Sequence, residues 1–287
     1  MIKIDGDKCK RDGLCLKACC ENHVFVQDAP GEIPRPENQG DCSLCGHCVA
    51  VCPGDAITHS GMNMAEFKPV DLSAFPTPEA AENFLFSMRS VRQYKKKAVS
   101  REDIDRLLAA GAKAASEHNS QDRRFFVLTD AAKIHELSGK LTAHYGMLAK
   151  TLRPPVMSAI GVFAPGMKDY LEGSLPDMKR KAVEFGQETD PIFHSAPCLI
   201  VITSKKANML GKDTALTAQE TIRFLAHAMG LGTCVSGYAI GAPSIVSKAL
   251  KIPRGQKIQT VFTLGYPALK YRKTVDRKPP QIDRAGN

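Results

Sequence analysis

Cys42, Cys45, Cys48 and Cys52, in the run C-S-L-C-G-H-C-V-A-V-C-P, constrain this chain more than any other feature. This spacing with its closing proline is that of iron–sulfur ligation, so the chain is expected to handle electrons. A second run upstream, Cys9, Asp12, Cys15 and Cys19, keeps the spacing but holds aspartate at the second position. Short turns must wrap the backbone around each cluster, and Gly13 and Gly46 stand at matching places to allow them. Zinc ribbons use paired C-x2-C knuckles and have no need of the third and fourth cysteines. Disulfides fit worse, because the start M-I-K-I-D-G-D-K lacks the apolar stretch of a signal peptide and points to a reducing cytoplasm.

The two runs resemble those of two-cluster bacterial ferredoxins, in which the last cysteine of each run ligates the other cluster. The resemblance implies that Cys42, Cys45, Cys48 and Cys19 hold one 4Fe-4S cluster, and that Cys9, Cys15 and Cys52, with Asp12 at the fourth position, hold the other. A carboxylate is a poorer partner than a thiolate for iron in a sulfide cube, so the second site is read as 3Fe-4S or as a labile 4Fe-4S. Cys20, where a proline usually follows the fourth cysteine, is an alternative ligand.

At 287 residues and 43% hydrophobic the chain can bury a substantial core. Eight of its ten cysteines fall before residue 53, while Cys198 and Cys234 stand alone in apolar stretches and read as packing residues. No apolar run approaches the length of a membrane span. The net charge of +9 is uneven: residues 1–62 carry 6 basic and 9 acidic side chains, residues 63–287 carry 33 and 21. The basic clusters are short, aromatics make up 6% and tryptophan is absent, which argues against nucleic acid and for a solvated basic face, or one that attracts an acidic carrier or an anionic substrate.

Residues 1–62 read as the cluster domain, with strands at Ile2–Ile4 and Ala56–Thr58 and a polar insert over 21–41. Residues 63–78, with Pro69, Pro76 and Pro78, read as linker. Beyond them, helices are predicted over Glu79–Met88, from a Ser100 cap to about Ala115, over Lys133–Tyr145 and over Leu216–Met229. Strands are predicted at Phe125–Leu128, Cys198–Thr203 and Ile258–Leu264. Residues 146–195 carry no clear period and read as an excursion over a site. The interleaving gives an α+β fold, a sheet flanked by helices, over residues 79–287.

R-S-V-R-Q-Y at Arg89–Tyr94 puts two guanidinium groups around a serine where a helix gives way to a turn. Such a fork suits a phosphate, although a basic helix end has the same look. It is followed in order by Ser116, Asn119 and Gln121, then R-F-F-V-L, S-A-P-C-L-I-V-I, H-A-M-G-L-G-T-C-V-S-G and R-K-P. That series resembles the FMN-dependent nitroreductase family, in its members with an N-terminal two-cluster ferredoxin domain. The resemblance implies a nitroreductase-like α/β sandwich and an FMN-dependent homodimer. It places Arg89, Ser90 and Arg92 on the FMN phosphate and ribityl, Asn119 and Gln121 on the ring, Val235, Ser236 and Gly237 at its reactive edge, and Arg277 with Lys278 on the phosphate. Two departures stand out: Met88 replaces a further arginine, and Asp122-Arg123 replace a usual proline and tryptophan.

The expected function is an iron–sulfur flavoprotein oxidoreductase that passes electrons from its clusters to FMN and on to a small acceptor such as a nitro compound or an enone, with an external ferredoxin as one candidate donor. The alternative is an electron carrier that serves a protein partner. His118, His144 and Tyr145 are candidates for the proton donor, none marked by a motif.

Overall fold

The structure, a computed structural model, describes residues 1–19, 23–186 and 188–285; Cys20 lies outside them. The chain divides into two units, Met1–Pro76 with Glu117–Ser120, and Thr77–Ser116 with Gln121–Asn287. The stretch expected as linker is therefore folded into the first unit up to Pro76. It forms two short 3-10 turns, Met64–Glu66 and Leu72–Ala74, whose entries are capped by the side chains of Asn63 and Asp71. Phe67 also packs closely on Gly46.

The first unit runs β1 (Ile2–Ile4), α1 (Leu14–Ala18), β2 (Phe25–Val26), β3 (Arg35–Pro36), α2 (His47–Val51) and β4 (Ile57–His59). β1 pairs antiparallel with β4, Ile2 opposite His59, and β2 with β3, so the polar insert carries a small ladder of its own. Each one-turn helix is entered through a left-handed glycine, Gly13 at φ 67° and Gly46 at φ 76°. A Cβ there would be strained, which is why both cysteine runs place glycine ahead of their third thiol. The core is small: Ile2, Val24, Phe25 and Ile57 with Cys15 and Cys48.

The second unit runs α3 (Pro78–Ser87), α4 (Arg101–Lys113), β5 (Arg124–Leu128), α5 (Ala131–Thr151), α6 (Pro154–Phe163), α7 (Pro165–Glu184), β6 (Cys198–Lys205), α8 (Gly211–Ala228), β7 (Gly232–Val235), α9 (Gly237–Gly241), α10 (Pro243–Ala249) and β8 (Gln256–Gly265). Its sheet has the order β5-β6-β8-β7 with every pair antiparallel. Successive side chains of a strand face opposite ways, and β6 is buried on both faces. Cys198, Ile200 and Ile202 pack with Ile104 and Leu107 of α4 and Ile222 of α8. Leu199 and Val201 pack with Ile134, Leu137 and Leu141 of α5. Fully burying each such side chain contributes roughly 1.5–3 kcal/mol, and the two layers together hold the sheet between helices. Helix starts follow their caps: Ser100 Oγ accepts the N–H of Asp103 at 3.0 Å, and Asp130 Oδ1 those of Ala132 and Lys133. Residues 146–195 are mostly helical, in the end of α5, α6 and α7, with Met178 of α7 in the core.

Candidate functional site

In the first unit the thiols gather around two hollows. One is lined by Cys9, Asp12, Cys15 and Cys52, the other by Cys19, Cys42, Cys45 and Cys48. The fourth cysteine of each run thus crosses to the other run's hollow, because α1 and α2 end at Ala18 and Val51 and carry Cys19 and Cys52 away from their own loops. Among the described residues no three of His, Cys, Asp or Glu converge on a single-ion site. The ligands ring a cavity instead, as those of a polynuclear core do.

The donor sets fit iron–sulfur clusters. Burial pushes the Cys15 thiol up to about 11, with the Cys9 and Cys52 thiols adding to the rise. Cys48 is likewise pushed up to about 11 by burial, with Cys19, Cys45 and Cys42 adding. Thiolates crowded so closely need a positive core to hold them deprotonated. Asp12 is exposed, and its Oδ1 also accepts the N–H of Leu14 at 3.1 Å. That bond engages one carboxylate oxygen at the helix start, while the residue lines the hollow beside Cys9, Cys15 and Cys52.

In the second unit, α3 ends at Ser87 and the backbone from Met88 is extended, with Ser90 bridging Thr233 of β7 in parallel. Tyr94 ties this segment to the sheet: its hydroxyl donates to Val91 O at 2.7 Å and lies 2.7 Å from Thr263 Oγ1. Two cavities are lined by successive stretches of the chain around β7. The one of about 480 Å³ takes Gly230–Thr233 and holds Arg89, Lys95, Arg223, His227 and Lys270. The one of about 610 Å³ takes Cys234–Tyr238 and holds Arg92, Lys181 and His194.

Arg89 and Arg92 therefore do not form one fork. On an extended backbone residues three apart face opposite sides, and only a helix would bring them together. Arg89 lines the smaller cavity, with its Nε buried and lacking a hydrogen-bond partner, and its guanidinium is of a kind suited to an anionic group such as the FMN phosphate. Arg92 shares the larger cavity with Val235, Ser236 and Gly237, the residues expected at the reactive edge of the ring. Ser236 Oγ caps α9 by accepting from Ala239 N.

The remaining expected residues lie elsewhere. The Asn119 side-chain N–H groups donate to the carbonyls of Ser43 and Leu44 at 3.0 and 2.8 Å, on the cluster loop of the first unit, so its amide nitrogen is committed there rather than to a ring. The turn that holds it is left-handed at His118 and Asn119. Gln121 is exposed, its backbone N–H bonded to Ser116 Oγ. Arg277 and Lys278 lie in an exposed run without regular structure and line neither cavity; the tail instead supplies Lys270 to the Arg89 cavity. Arg123, where the family has tryptophan, is buried and donates to the carbonyls of Ala112, Ala114 and Ala115, closing the end of α4. Cys198 and Cys234 are buried packing residues, as expected, and burial pushes Cys198 up to about 12.

None of the three expected proton donors lines the larger cavity. Tyr145 donates its hydroxyl to Tyr238 O at 2.8 Å, and His144 stacks edge-on against it. The groups that do line it are His194 and Tyr238, whose hydroxyl donates to Asp177 Oδ2 at 2.5 Å. His194 is held in the left-handed region, φ 58°, by Asp190, whose carboxylate accepts the N–H groups of Ile192, Phe193 and Ser195 and the Ser138 hydroxyl. Burial lowers the pKa of His194.

The sequence matches the nitroreductase family over residues 86–266 and a 4Fe-4S binding domain over residues 36–58. Among curated proteins it is 39% identical over 59 residues to a ferredoxin of Methanothermococcus thermolithotrophicus, covering 20% of this chain and 93% of that one. It is 34% identical over 70 residues to "Probable oxidoreductase YjgC" of Bacillus subtilis (strain 168); that match spans 21% of this chain and only 7% of YjgC. Among solved structures, a nitroreductase with bound FMN from Bacteroides fragilis NCTC 9343 superposes with TM-score 0.53 at 19% identity, over 71% of this chain and 98% of that one. Oxidised iodotyrosine deiodinase bound to FMN and 3-iodo-L-tyrosine superposes with TM-score 0.52 at 19% identity, over 72% and 98%. Together with the thiol-ringed hollows and the helix-flanked antiparallel sheet, these matches establish that the chain belongs to the nitroreductase family and carries a 4Fe-4S binding domain ahead of its oxidoreductase domain.

Proposed function

We propose that the protein is an iron–sulfur flavoprotein that takes electrons at two clusters, passes them to FMN and reduces a small acceptor bearing a nitro or enone group. The observation that carries this reading is the cavity of about 610 Å³ with Arg92, Ser236 and Gly237 on its wall, which a carrier serving only a protein partner does not need. FMN, as bound in the Bacteroides fragilis nitroreductase, would supply the exchange between one-electron and two-electron transfer. The chain's part is to bind and orient. Arg89 offers its guanidinium to a phosphate in the smaller cavity, and Arg92 brings positive charge beside the backbone of Ser236 and Gly237. His194 and Tyr238 are the side chains placed to hold a proton in that cavity. Lys181 lines the same wall, where its Nζ donates to Pro191 O at 2.8 Å, and Asp177, Glu184 and Asp190 balance the basic groups there.

The protein works as a homodimer in the cytoplasm on this reading. Leu85 and Phe86 on α3 and Phe163 on α6, 45%, 57% and 88% exposed, are apolar surface that a second copy would cover. Among the described residues no helix is long and apolar enough to cross a membrane. The test is turnover by the anaerobically loaded protein. With dithionite or a reduced ferredoxin as donor, a nitroaromatic or an enone should be consumed with release of the reduced product. Electron exchange with protein partners and no consumption of either acceptor would overturn the reading. Dilution should release FMN together with subunit separation; a flavin-bearing monomer in sedimentation would remove the dimer.

A further inference from the structure

Cys42 Sγ and His59 Nε2 stand 3.6 Å apart in the first unit. His59 lies on β4, is 4% exposed, and its other ring nitrogen, Nδ1, accepts the N–H of Gly61 at 2.9 Å. A ring nitrogen that accepts an N–H carries no proton of its own, so the proton of the neutral ring is on Nε2 and points at the Cys42 sulfur. The backbone that carries the ring is fixed on its own account. His59 pairs with Ile2 across β1 and β4, and its own backbone N–H meets Met64 Sδ at 3.4 Å.

Among the described residues two other cluster sulfurs accept hydrogen bonds, in both cases from backbone: Cys9 from Arg11 N–H at 3.4 Å and Cys52 from Ala56 N–H at 3.3 Å. Both belong to the hollow that Asp12 lines. Cys42 belongs to the other, four-thiol hollow and receives a side-chain donor. The place that corresponds to His59 in the first run, the same distance beyond its last cysteine, holds Val26, which has no donor. The duplicated runs thus differ in the second layer around the sulfurs as well as at Asp12.

We propose that His59 is a positioning residue for the cluster held by Cys42, Cys45, Cys48 and Cys19, its Nε2–H fixing the Cys42 thiolate and raising that cluster's reduction potential. A one-electron reduction adds negative charge to a core already surrounded by thiolates. A donor on one of those sulfurs stabilises the reduced state more than the oxidised one. The proposal rests on the cluster reading above and says which of the two clusters a side chain tunes.

The test uses the full-length protein, loaded with iron and sulfide under anaerobic conditions, in wild-type form and as His59→Phe and His59→Gln. Iron content is measured first, then the midpoint potential of each cluster by paramagnetic resonance during a dithionite titration. His59→Phe should retain wild-type iron and move one midpoint to more negative potential, leaving the other in place. His59→Gln, whose amide can still donate, should recover part of the shift, which a merely space-filling role would not produce. Full iron with both midpoints at wild-type values in His59→Phe would overturn the proposal alone, whereas a wild type that holds no cluster at the four-thiol site would overturn the cluster reading with it. Should His59→Phe fail to load, wild-type protein grown with ¹⁵N-histidine provides the second measurement. Pulsed resonance should detect ¹⁵N coupling to the reduced cluster that His59→Gln lacks, and equal spectra from the two would overturn the proposal.

Discussion

Among the described residues the first unit buries four large apolar side chains besides its cysteines, Ile2, Val24, Phe25 and Ile57, while the second buries both faces of β6 and β8 under helices. Packing therefore accounts for the second unit and not for the first. In a unit so small the burial of a few side chains does not offset the ordering of the chain, and binding energy from its ligands is folding energy. Removing the iron tests this contrast most severely. Stripping the clusters with a chelator and an oxidant should leave residues 1–76 open to proteases while residues 121–265 stay protected. Resistance of both units after complete iron loss, read by limited proteolysis and mass spectrometry, would break the comparison.

The converse change should spare the first unit. Leu141 is fully buried between α5 and the sheet, and Leu141→Ala leaves a cavity that costs about 2–5 kcal/mol. Denaturant unfolding followed in the second unit should lose that much, while the clusters' visible absorption in the same sample persists under native conditions. Loss of the clusters in the folded variant would mean that the two units do not stand on separate supports.

What the sequence makes legible follows the same contrast. Ligand spacing is local, so the cysteine runs and their glycine turns are readable before any fold is known, whereas the exchange of Cys19 and Cys52 comes only with the resemblance to two-cluster ferredoxins. β6 is readable because a strand buried on both faces is an unbroken apolar run, and α4 because Ser100 and its Ile104–Leu107 stripe agree. α6 and α7 are not, since Pro154, Pro165 and Pro176 interrupt the period and α7 buries little beyond Met178. The cavity groups His194 and Tyr238 escape notice for a different reason: one depends on a left-handed turn clamped by Asp190, the other on its bond to Asp177 from α7. Arg89 and Arg92 mislead because their spacing suggests a fork only if the helix continued past Ser87. Arg123 looks like a lost aromatic platform and is instead a cap for α4.

The separation of Arg89 and Arg92 into two cavities sharpens the second unit's side of the comparison. Each charge-assisted bond to a bound phosphate contributes on the order of 1.5–3 kcal/mol, roughly a tenfold to hundredfold change in affinity. Arg89→Ala should weaken FMN by that factor if the phosphate lies in the smaller cavity that Arg89 lines. Arg92→Ala should do so only if the phosphate or ribityl reaches the larger cavity. Flavin fluorescence during equilibrium dialysis measures both, and undiminished FMN affinity in the double variant would remove the cofactor from this site.

The smallest expected effect concerns one iron of one cluster, at the single break in the duplicated ligand set. Four cysteine sulfurs line the hollow of Cys19, Cys42, Cys45 and Cys48, whereas three cysteine sulfurs and the Asp12 carboxylate line the other. Asp12 is exposed, with one oxygen already bonded to the N–H of Leu14, so as a ligand it would hold a fourth iron only through a hard oxygen at the solvent edge. Under mild oxidation that iron should leave first, and a three-iron resonance signal should grow in wild type without loss of the four-thiolate cluster. Asp12→Cys supplies the missing soft ligand at the same spacing and should suppress the signal and raise retained iron by about one atom per chain relative to wild type. The Cys20→Ala variant separates the two explanations of the fourth ligand. If oxidised wild type keeps two complete clusters and loses one only in Cys20→Ala, Asp12 is not the ligand, and the two halves of the first unit are chemically alike after all.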